Sequence, residues 1–268
     1  MAGGVAAAMI AAASTPPDLA GDVVLAFAAD EEFGSLGMEE LLAALDAERP
    51  YPDGAVVLEP TDLEVTLAHR GFAWYRVVYE GVAAHGSQPE LGVDAIDRAL
   101  DGLVALRELG RELSARPRHP MLGSGSVRVA TIEGGTDAAT VADRCTLVVE
   151  RRTLPGEADP GPELERALAA SRPSLIEELV ERPGMEADTA APIVASVLAA
   201  VQGARGAPAV HRGDPWWTDA GLIAEAGIPV VLVGPAGGGA HADEEWVTIA
   251  SLRTLVTIVE RVIADFCR

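Results

Sequence analysis

Two continuous apolar runs, each followed directly by acidic residues, constrain the fold of this chain more than any other feature. The first lies in residues 22–29, where every residue after Asp22 is apolar, and ends at the acidic triplet 30–32. The second covers residues 55–58 and ends at Glu59. Runs without polar alternation are typical of strands that are buried on both faces. With a helix predicted over residues 34–47 between them, they predict an α/β sheet whose acidic residues share one edge.

The rest of the chain shows two kinds of sequence pattern, one typical of an α+β domain and one typical of a parallel α/β sheet. Aromatic-rich alternation over residues 71–80 predicts a half-exposed antiparallel strand, which opens a middle block of strands and helices that extends to about residue 180. The further predicted elements are a buried helix of small residues over 4–13, helices over 94–113, 163–170, 174–180, 191–202 and 249–266, and strands around 126–129, 144–152 and 227–235. The elements after residue 190 again have the pattern of a parallel α/β sheet, like those before residue 70. The sequence therefore predicts two domains, the first interrupted by an inserted α+β domain.

Composition excludes several classes of function. The 268 residues include 20 basic and 41 acidic side chains, a formal charge of −21, and every basic residue is arginine. A Schiff-base enzyme or a phosphate-binding P-loop needs a lysine, and nucleic-acid binding needs clustered positive charge, so none of these is expected. No apolar stretch reaches the ~18 residues of a membrane span. Two cysteines are too few for a disulfide framework, which predicts reduced thiols and a cytoplasmic protein.

Three side chains are predicted to meet at the acidic edge of the sheet. Glu32 and Glu59 follow the two apolar strands, and His241 lies in a glycine-rich loop after the last strand. Carboxylate and imidazole are ligands that suit Zn²⁺, so the three could form a metal site. For the Glu31-Glu32 pair taken alone, the alternative is a solvated acidic loop.

His85 and Arg152 are the candidate functional residues of the middle block. His85 lies in a glycine-rich turn, where a histidine is more often an ordinary surface residue. Arg152 ends a strand, and its guanidinium could bind a substrate carboxylate or simply pair with Glu150. His69, His119 and His211 have no motif around them and are predicted to be structural or exposed.

Several longer strings occur in a fixed order along the chain: Asp30-Glu31-Glu32, Leu58-Glu59-Pro60, Ala84-His85-Gly-Ser-Gln-Pro-Glu-Leu-Gly-Val-Asp-Ala-Ile, Glu133-Gly134-Gly135, the segment from Asp143 to Glu157, Thr218-Asp219-Ala220, and Gly-Ile-Pro followed by Gly-Pro and by His241 to Val247. In this order they resemble the M20 metallopeptidases. That family includes acetylornithine deacetylase, succinyl-diaminopimelate desuccinylase, aminoacylase and glutamate carboxypeptidase. The resemblance covers essentially the whole chain.

The resemblance implies a two-metal hydrolase of an amide bond. Glu31 matches the general base, and Glu32, Glu59 and His241 match metal ligands. Two Zn²⁺ ions are expected for the family, with Co²⁺ or Mn²⁺ as alternatives. A water shared by the metals would lose its proton to Glu31 and attack the amide carbonyl.

The resemblance also assigns substrate contacts and an architecture. His85 matches the histidine of a lid domain that polarises the carbonyl in the partner subunit's site, and Arg152 matches the arginine that binds the substrate carboxylate. Gly239, in the loop before His241, is assigned to substrate binding. The implied fold is a zinc-peptidase-like α/β catalytic domain with a mostly parallel sheet (1–68 and 184–268), interrupted by a lid and dimerisation domain (69–183).

Two family elements have no counterpart in this sequence. The family has a His-x-Asp ligand motif on an early strand and a bridging Asp before a Met-Lys-Gly-Gly helix start, whereas this chain begins at Met1-Ala2-Gly3-Gly4. The first ligand histidine and the bridging carboxylate are therefore absent as written. We expect a hydrolase of N-acyl amino acids that resembles acetylornithine deacetylase; the alternatives are a dipeptidase or carboxypeptidase, or a catalytically impaired fragment that only binds ligands.

Overall fold

The computed structural model describes residues 1–16, 18–48 and 51–268. The chain divides into two compact units, which we call the discontinuous unit (Met1–His69 and Met185–Arg268) and the inserted unit (Arg70–Gly184). These boundaries lie one residue from those expected from the sequence.

The helices and strands follow one another along the chain in this order: α1 Ala2–Ala13, α2 Leu36–Glu48, β1 Ala55–Val57, β2 Val65–His69, β3 Gly71–Glu80, α3 Ala95–Ala115, β4 Ser126–Gly134, β5 Arg144–Thr153, α4 Gly161–Leu168, β6 Leu175–Arg182, β7 Met185–Glu186, α5 Pro192–Arg205, β8 His211–Asp214, α6 Ala220–Glu225, β9 Val230–Leu232, β10 Gly237–Gly238, β11 Trp246–Val247 and α7 Ile249–Phe266. None of the helices among the described residues is long and apolar enough to cross a membrane.

The discontinuous unit contains a five-stranded mixed sheet. Its order is β1-β9-β2-β7, and β8 also pairs with β2. The β1–β9 and β2–β8 pairs are parallel, whereas β2 runs antiparallel to β7 and β9. The α/β class is thus confirmed, but the sheet is mixed rather than mostly parallel.

The strand predicted over residues 22–29 does not form. The segment pairs with no strand among the described residues, and its large side chains are exposed, Phe27 by 55% and Val24 by 44%. An apolar run becomes a buried strand only where neighbouring backbone supplies hydrogen bonds and other elements cover its faces. The run after it does become a strand, because β1 pairs with β9.

The two terminal helices show how small and large apolar residues are used. In α1 the buried residues are Gly4, Ala7 and Ala11, which form a single stripe, while Met9 and Ile10 are each 54% exposed. The helix predicted over residues 4–13 is therefore present but buried on one side only. Helix α7 has the predicted bounds, starting after a Thr248 side chain that accepts a hydrogen bond from the Ser251 backbone N–H.

The inserted unit is a four-stranded antiparallel sheet in the order β4-β5-β3-β6, with α3 and α4 packed on one face. Strand β3 lies between β5 and β6 and is more buried than the predicted half-exposed strand, because both of its edges are paired. Helix α3 begins where the Asp94 side chain accepts hydrogen bonds from the Ile96 and Asp97 backbone N–H groups.

The helix predicted over residues 174–180 is wrong. The segment is the edge strand β6, which pairs with β3 from Leu175 to Arg182. Leucine and glutamate favour a helix locally, but pairing with the ten-residue strand β3 satisfies the backbone and outweighs that preference.

Candidate active site

The predicted site residues are divided between the two units. The discontinuous unit holds Glu31, Glu32, Glu59, Gly239 and His241, and the inserted unit holds His85 and Arg152. Each group is described within its own unit.

A sharp turn presents the adjacent glutamates. Asp30 adopts a left-handed conformation with φ of 68°, and a short 3-10 helix, Glu31–Phe33, follows it. The Ser35 backbone N–H donates to the Asp30 carbonyl at 2.8 Å and closes the turn. Glu31 is half-buried and Glu32 is exposed, so the two carboxylates have different surroundings.

Glu59 lies where the backbones of two strands approach closely. An added Cβ at Gly234, just after β9, would overlap the Glu59 carbonyl oxygen, so only glycine fits there. Nearby, the buried Thr61 hydroxyl donates to the Glu64 carbonyl at 2.6 Å and accepts from the Gly234 backbone N–H at 2.9 Å. The backbone that carries Glu59 is thus fixed by a buried turn.

The loop after β9 brings His241 to Glu32. His241 has a positive φ of 61°, and its Nε2 lies 3.2 Å from Glu32 Oε2, although both side chains are more than 70% exposed. Gly239 has a φ of 75°, and an added Cβ would overlap the Glu244 carbonyl oxygen. Glycine at 239 is therefore required by the shape of the loop.

Asp219 is a further acidic residue of the site, to which the sequence had given no role. The buried Ser35 hydroxyl donates to its carboxylate. An aspartate just before a helix normally reads as an N-cap, yet its side chain makes no capping hydrogen bond to α6. The motif Thr218-Asp219-Ala220 was the only signal that could have identified it.

Crowding of carboxylates shifts the titration of the site. Burial, followed by the negative charges of Glu59, Asp219 and Glu32, raises the pKa of Glu31 to about 8. Burial is also the main cause that raises the pKa of Glu59 to about 7, with Asp219, Glu32 and Glu245 adding to it. The positive Met1 amino group acts in the opposite direction on both. A group with a pKa near neutrality can take up and release protons at physiological pH.

The donor set fits a zinc-type ion in its chemistry. Glu32 and Glu59 offer carboxylate oxygens and His241 offers an imidazole nitrogen, and a cation would relieve the repulsion that raises the glutamate pKa values. The distances are longer than in a closed site: among the described residues, three ligand atoms come within 4.8 Å of one another only in a group in the inserted unit.

His85 lies in an exposed loop of the inserted unit that is paired with residues 139 and 140. It bridges to Thr140, and the Gly86 N–H donates to the Ala139 carbonyl at 2.6 Å. The backbone N–H of Ser87 donates to His85 Nδ1 at 3.2 Å, so the proton of a neutral imidazole lies on Nε2. The ring can therefore offer a hydrogen-bond donor to solvent or to a ligand.

Arg152 pairs with Glu150, at 2.9 Å, and its guanidinium lies 5.4 Å from the centre of the Phe72 ring. Glu150 is 4% exposed and also accepts from Arg128 at 2.5 Å and from the Trp74 indole at 3.3 Å. The ion pair weighed as the alternative for Arg152 is present. The carboxylate-binding role stays a prediction.

Comparison with known proteins identifies the family. The model of peptidase family M20/M25/M40 matches residues 1–265. The chain is 30% identical over 266 residues to the N-acetyl-L-citrulline deacetylase of Xanthomonas campestris pv. campestris, covering 97% of this chain and 70% of that protein. It is 28% identical to the acetylornithine deacetylase of Myxococcus xanthus, covering 98% of this chain and 70% of that protein.

A solved structure shows the same fold. The aminopeptidase PepT of Bacillus cereus superposes with a TM-score of 0.71 at 22% identity, covering 89% of this chain and 62% of that chain. The match to the probable carboxypeptidase of Aspergillus terreus is shorter: it is 32% identical over 146 residues, which cover 53% of this chain and about a third (34%) of that protein. The match over nearly the whole of this sequence shows that the chain belongs to peptidase family M20/M25/M40.

Proposed function

We propose that this protein is a metal-dependent hydrolase that cleaves the amide bond of an N-acyl amino acid, in the manner of an acetylornithine deacetylase. Members of the family are metal-dependent hydrolases of small amide or peptide substrates. The observation that carries the proposal is the crowding of Glu31, Glu59 and Asp219 beside the Glu32–His241 pair. The deacetylases among its relatives support the substrate class.

In this proposal Glu31 moves the proton. A zinc ion held by Glu32, Glu59 and His241 would polarise the carbonyl and acidify a water. Glu31 accepts a proton from the attacking water as the new C–O bond forms, and returns it to the leaving nitrogen as the C–N bond breaks.

Two residues of the inserted unit complete the proposal. The Nε2–H of His85 would donate to the carbonyl oxygen in the partner subunit's active site. Arg152, which Glu150 and Phe72 orient, would bind the substrate carboxylate.

We propose that the protein forms a homodimer through the inserted unit. Ile96, Leu100 and Val104 are 45–54% exposed and recur every four residues along α3, so they form one apolar stripe. Next to it, β4 is an edge strand that pairs on one side only within the described part of the chain, and its Ile132 is half-exposed. A second copy would cover both features. Light scattering should give a dimer, and Leu100→Glu should give a monomer; a monomeric wild-type chain would contradict the proposal.

A metal assay and a substrate screen test the proposed activity. The purified chain, incubated with ZnCl₂, should retain zinc after gel filtration and hydrolyse N-acetyl amino acids faster than N-succinyl amino acids or dipeptides. Glu31→Gln should lower kcat by roughly 100-fold or more, with zinc content unchanged. Glu40→Gln, an exposed glutamate of α2, is the matched control and should leave kcat unchanged.

The outcomes separate the alternatives. Preference for dipeptides would favour the dipeptidase or carboxypeptidase reading, which the probable carboxypeptidase among the relatives supports. Binding of substrate without zinc retention or turnover would favour a ligand-binding fragment. The open spacing of Glu32, Glu59 and His241 supports that second alternative.

A cytoplasmic location is the remaining part of the proposal. It rests on Cys145 and Cys267, which are both free thiols. Thiols that stay unpaired are typical of a reducing compartment. Fractionation of the producing cells would test it, and recovery of the protein outside the cytoplasm would contradict it.

A further inference from the structure

A second group of carboxylates lies in the inserted unit and includes none of the residues assigned above. Asp159, Glu178 and Glu181 place one oxygen each within 4.8 Å of one another, and all three residues are exposed. We call them the carboxylate cluster. Asp159 precedes α4, where its Oδ1 accepts from the Gly161 backbone N–H at 2.7 Å, and the two glutamates lie on the edge strand β6.

An irregularity in β6 brings the two glutamates together. Glu178 is opposite Tyr75 and Glu181 is opposite Ala73, while Leu179 is an extra residue that has no partner on β3. In a regular strand, residues three apart point to opposite faces. The bulge at Leu179 places both glutamates on the face of Ala73 and Tyr75, which is the face covered by α4.

A buried hydroxyl is directed at the same place. Tyr75 is 2% exposed and its ring packs in the core of the inserted unit. Its hydroxyl lies beside the Glu178 carboxylate but makes no hydrogen bond of good geometry with any of the described residues. The position of an added Cβ at Gly161 is 3.1 Å from Asp159 Oδ1 and 3.5 Å from the Tyr75 hydroxyl oxygen. Burial and then the charges of the carboxylate cluster raise the pKa of Tyr75, so it remains a neutral phenol.

We propose that Asp159, Glu178, Glu181 and the Tyr75 hydroxyl form a binding site for a hard divalent cation, with Ca²⁺ as the ion that suits it best. All the donors are oxygens, and neither nitrogen nor sulfur is present to favour Zn²⁺. Exposed carboxylates leave room for water ligands, and Ca²⁺ tolerates such irregular geometry better than Mg²⁺. The cation compensates three clustered negative charges, and it or one of its waters provides the partner that the phenol lacks.

Calcium titration of the full chain tests the proposal. After EDTA treatment and at constant ionic strength, calorimetry with CaCl₂ should show saturable binding of one ion with a Kd of roughly 0.1–1 mM, the range of weak, solvent-exposed calcium sites. The Glu178→Gln/Glu181→Gln double variant should raise the Kd at least tenfold. Glu177→Gln is the matched control, because Glu177 is on the same strand but pairs with Arg76 at 2.5 Å and should keep the wild-type Kd within twofold.

Tyr75→Phe gives a readout that a general effect of charge would not produce. In EDTA the variant should melt at the same temperature as the wild type or higher, because it removes a buried hydroxyl without a partner. In 10 mM CaCl₂ it should melt lower than the wild type. Thermal unfolding can be followed by circular dichroism.

Three results would overturn the proposal: no saturation below 10 mM, equal Kd values for the double variant and Glu177→Gln, or equal destabilisation by Tyr75→Phe with and without calcium. The last would mean that the hydroxyl already has a protein partner. Glu59→Gln should keep the full calcium response, since Glu59 belongs to the other unit. Loss of the response in that variant would be a fourth such result, because it would place the bound ion at the proposed active site.

Discussion

In the discontinuous unit, carboxylates face one another, and burial and mutual repulsion raise the pKa values of Glu31 and Glu59 to about 8 and about 7. In the inserted unit, the buried Glu150 and the partly buried Glu163 face arginines. Burial raises their pKa values, but hydrogen bonds and charge from those arginines outweigh it and hold both below the usual range. Acidic residues that stabilise the fold are thus paired, and those proposed to act chemically are left repelling one another.

The largest expected effect is on the stability of the inserted unit, where acidic residues pair with arginines. Arg151 is 2% exposed and binds both Glu157 and Glu163. Arg151→Met should lower the free energy of unfolding of the inserted unit by about 3 kcal/mol, because two carboxylates lose their buried partner and keep only the more exposed Arg116. Urea denaturation followed by circular dichroism measures it.

Arg76 provides the control for Arg151. It pairs with Glu177, but both side chains are more than 40% exposed. Arg76→Met should therefore cost less than about 1 kcal/mol. Equal losses in the two variants would show that burial does not distinguish these ion pairs.

The second effect is a pH dependence of the stability of the discontinuous unit. The pKa values of Glu31 and Glu59 are raised on folding, so their stabilising contribution is complete below pH 4.5 and is lost as the pH rises through about 7 to 8. In EDTA, the unit should lose about 2 kcal/mol between pH 5 and pH 8, with solvent screening allowed for. Calorimetric melting at each pH measures it.

Glu31→Gln should flatten that pH dependence, and Glu40→Gln should not. Zinc should stabilise the wild type more at pH 8 than at pH 5, since it competes with the protons. A pH dependence that is the same in Glu31→Gln and the wild type would mean that this carboxylate is not responsible.

The smallest effect is the opposite pH dependence in the inserted unit. Because the pKa of Glu150 is lowered on folding, its contribution is present above the unfolded value near 4.5 and is lost as the pH falls below it. Glu150→Gln should remove about 1 kcal/mol of stability at pH 7 and little at pH 3. Circular dichroism melts at the two pH values provide the measurement, and an equal loss at both would contradict it.

The sequence predicted elements well where local periodicity and tertiary pairing agree. Helix α7 has a capping threonine and a continuous apolar face, so its bounds were predictable. Residues 22–29 and 174–180 failed for the same reason: whether a segment forms a strand depends on which backbone lies beside it, and local sequence does not encode that.

The candidate site shows the same division. Glu31, Glu32 and Glu59 are predicted at the site because they follow apolar runs, and His241 because of its glycine-rich loop. Asp219 was missed because its proximity to Glu31 and Glu59 depends on how α6 is placed in the fold, and a lone aspartate before a helix has an ordinary explanation as a cap. Motif order identified the family, but side-chain proximity required three-dimensional coordinates.

The bulge at Leu179 makes the carboxylate cluster sensitive to insertions and deletions in β6. Side chains alternate between the two faces of a strand, and the extra residue Leu179 is what places Glu178 and Glu181 on the same face. Deleting Leu179 would move one of the two glutamates to the opposite face, although both glutamates would remain in the sequence. The cluster could thus be lost or gained by a single deletion or insertion instead of by substitution. Sequences of equal composition along β6 can therefore differ in whether they hold three carboxylates together.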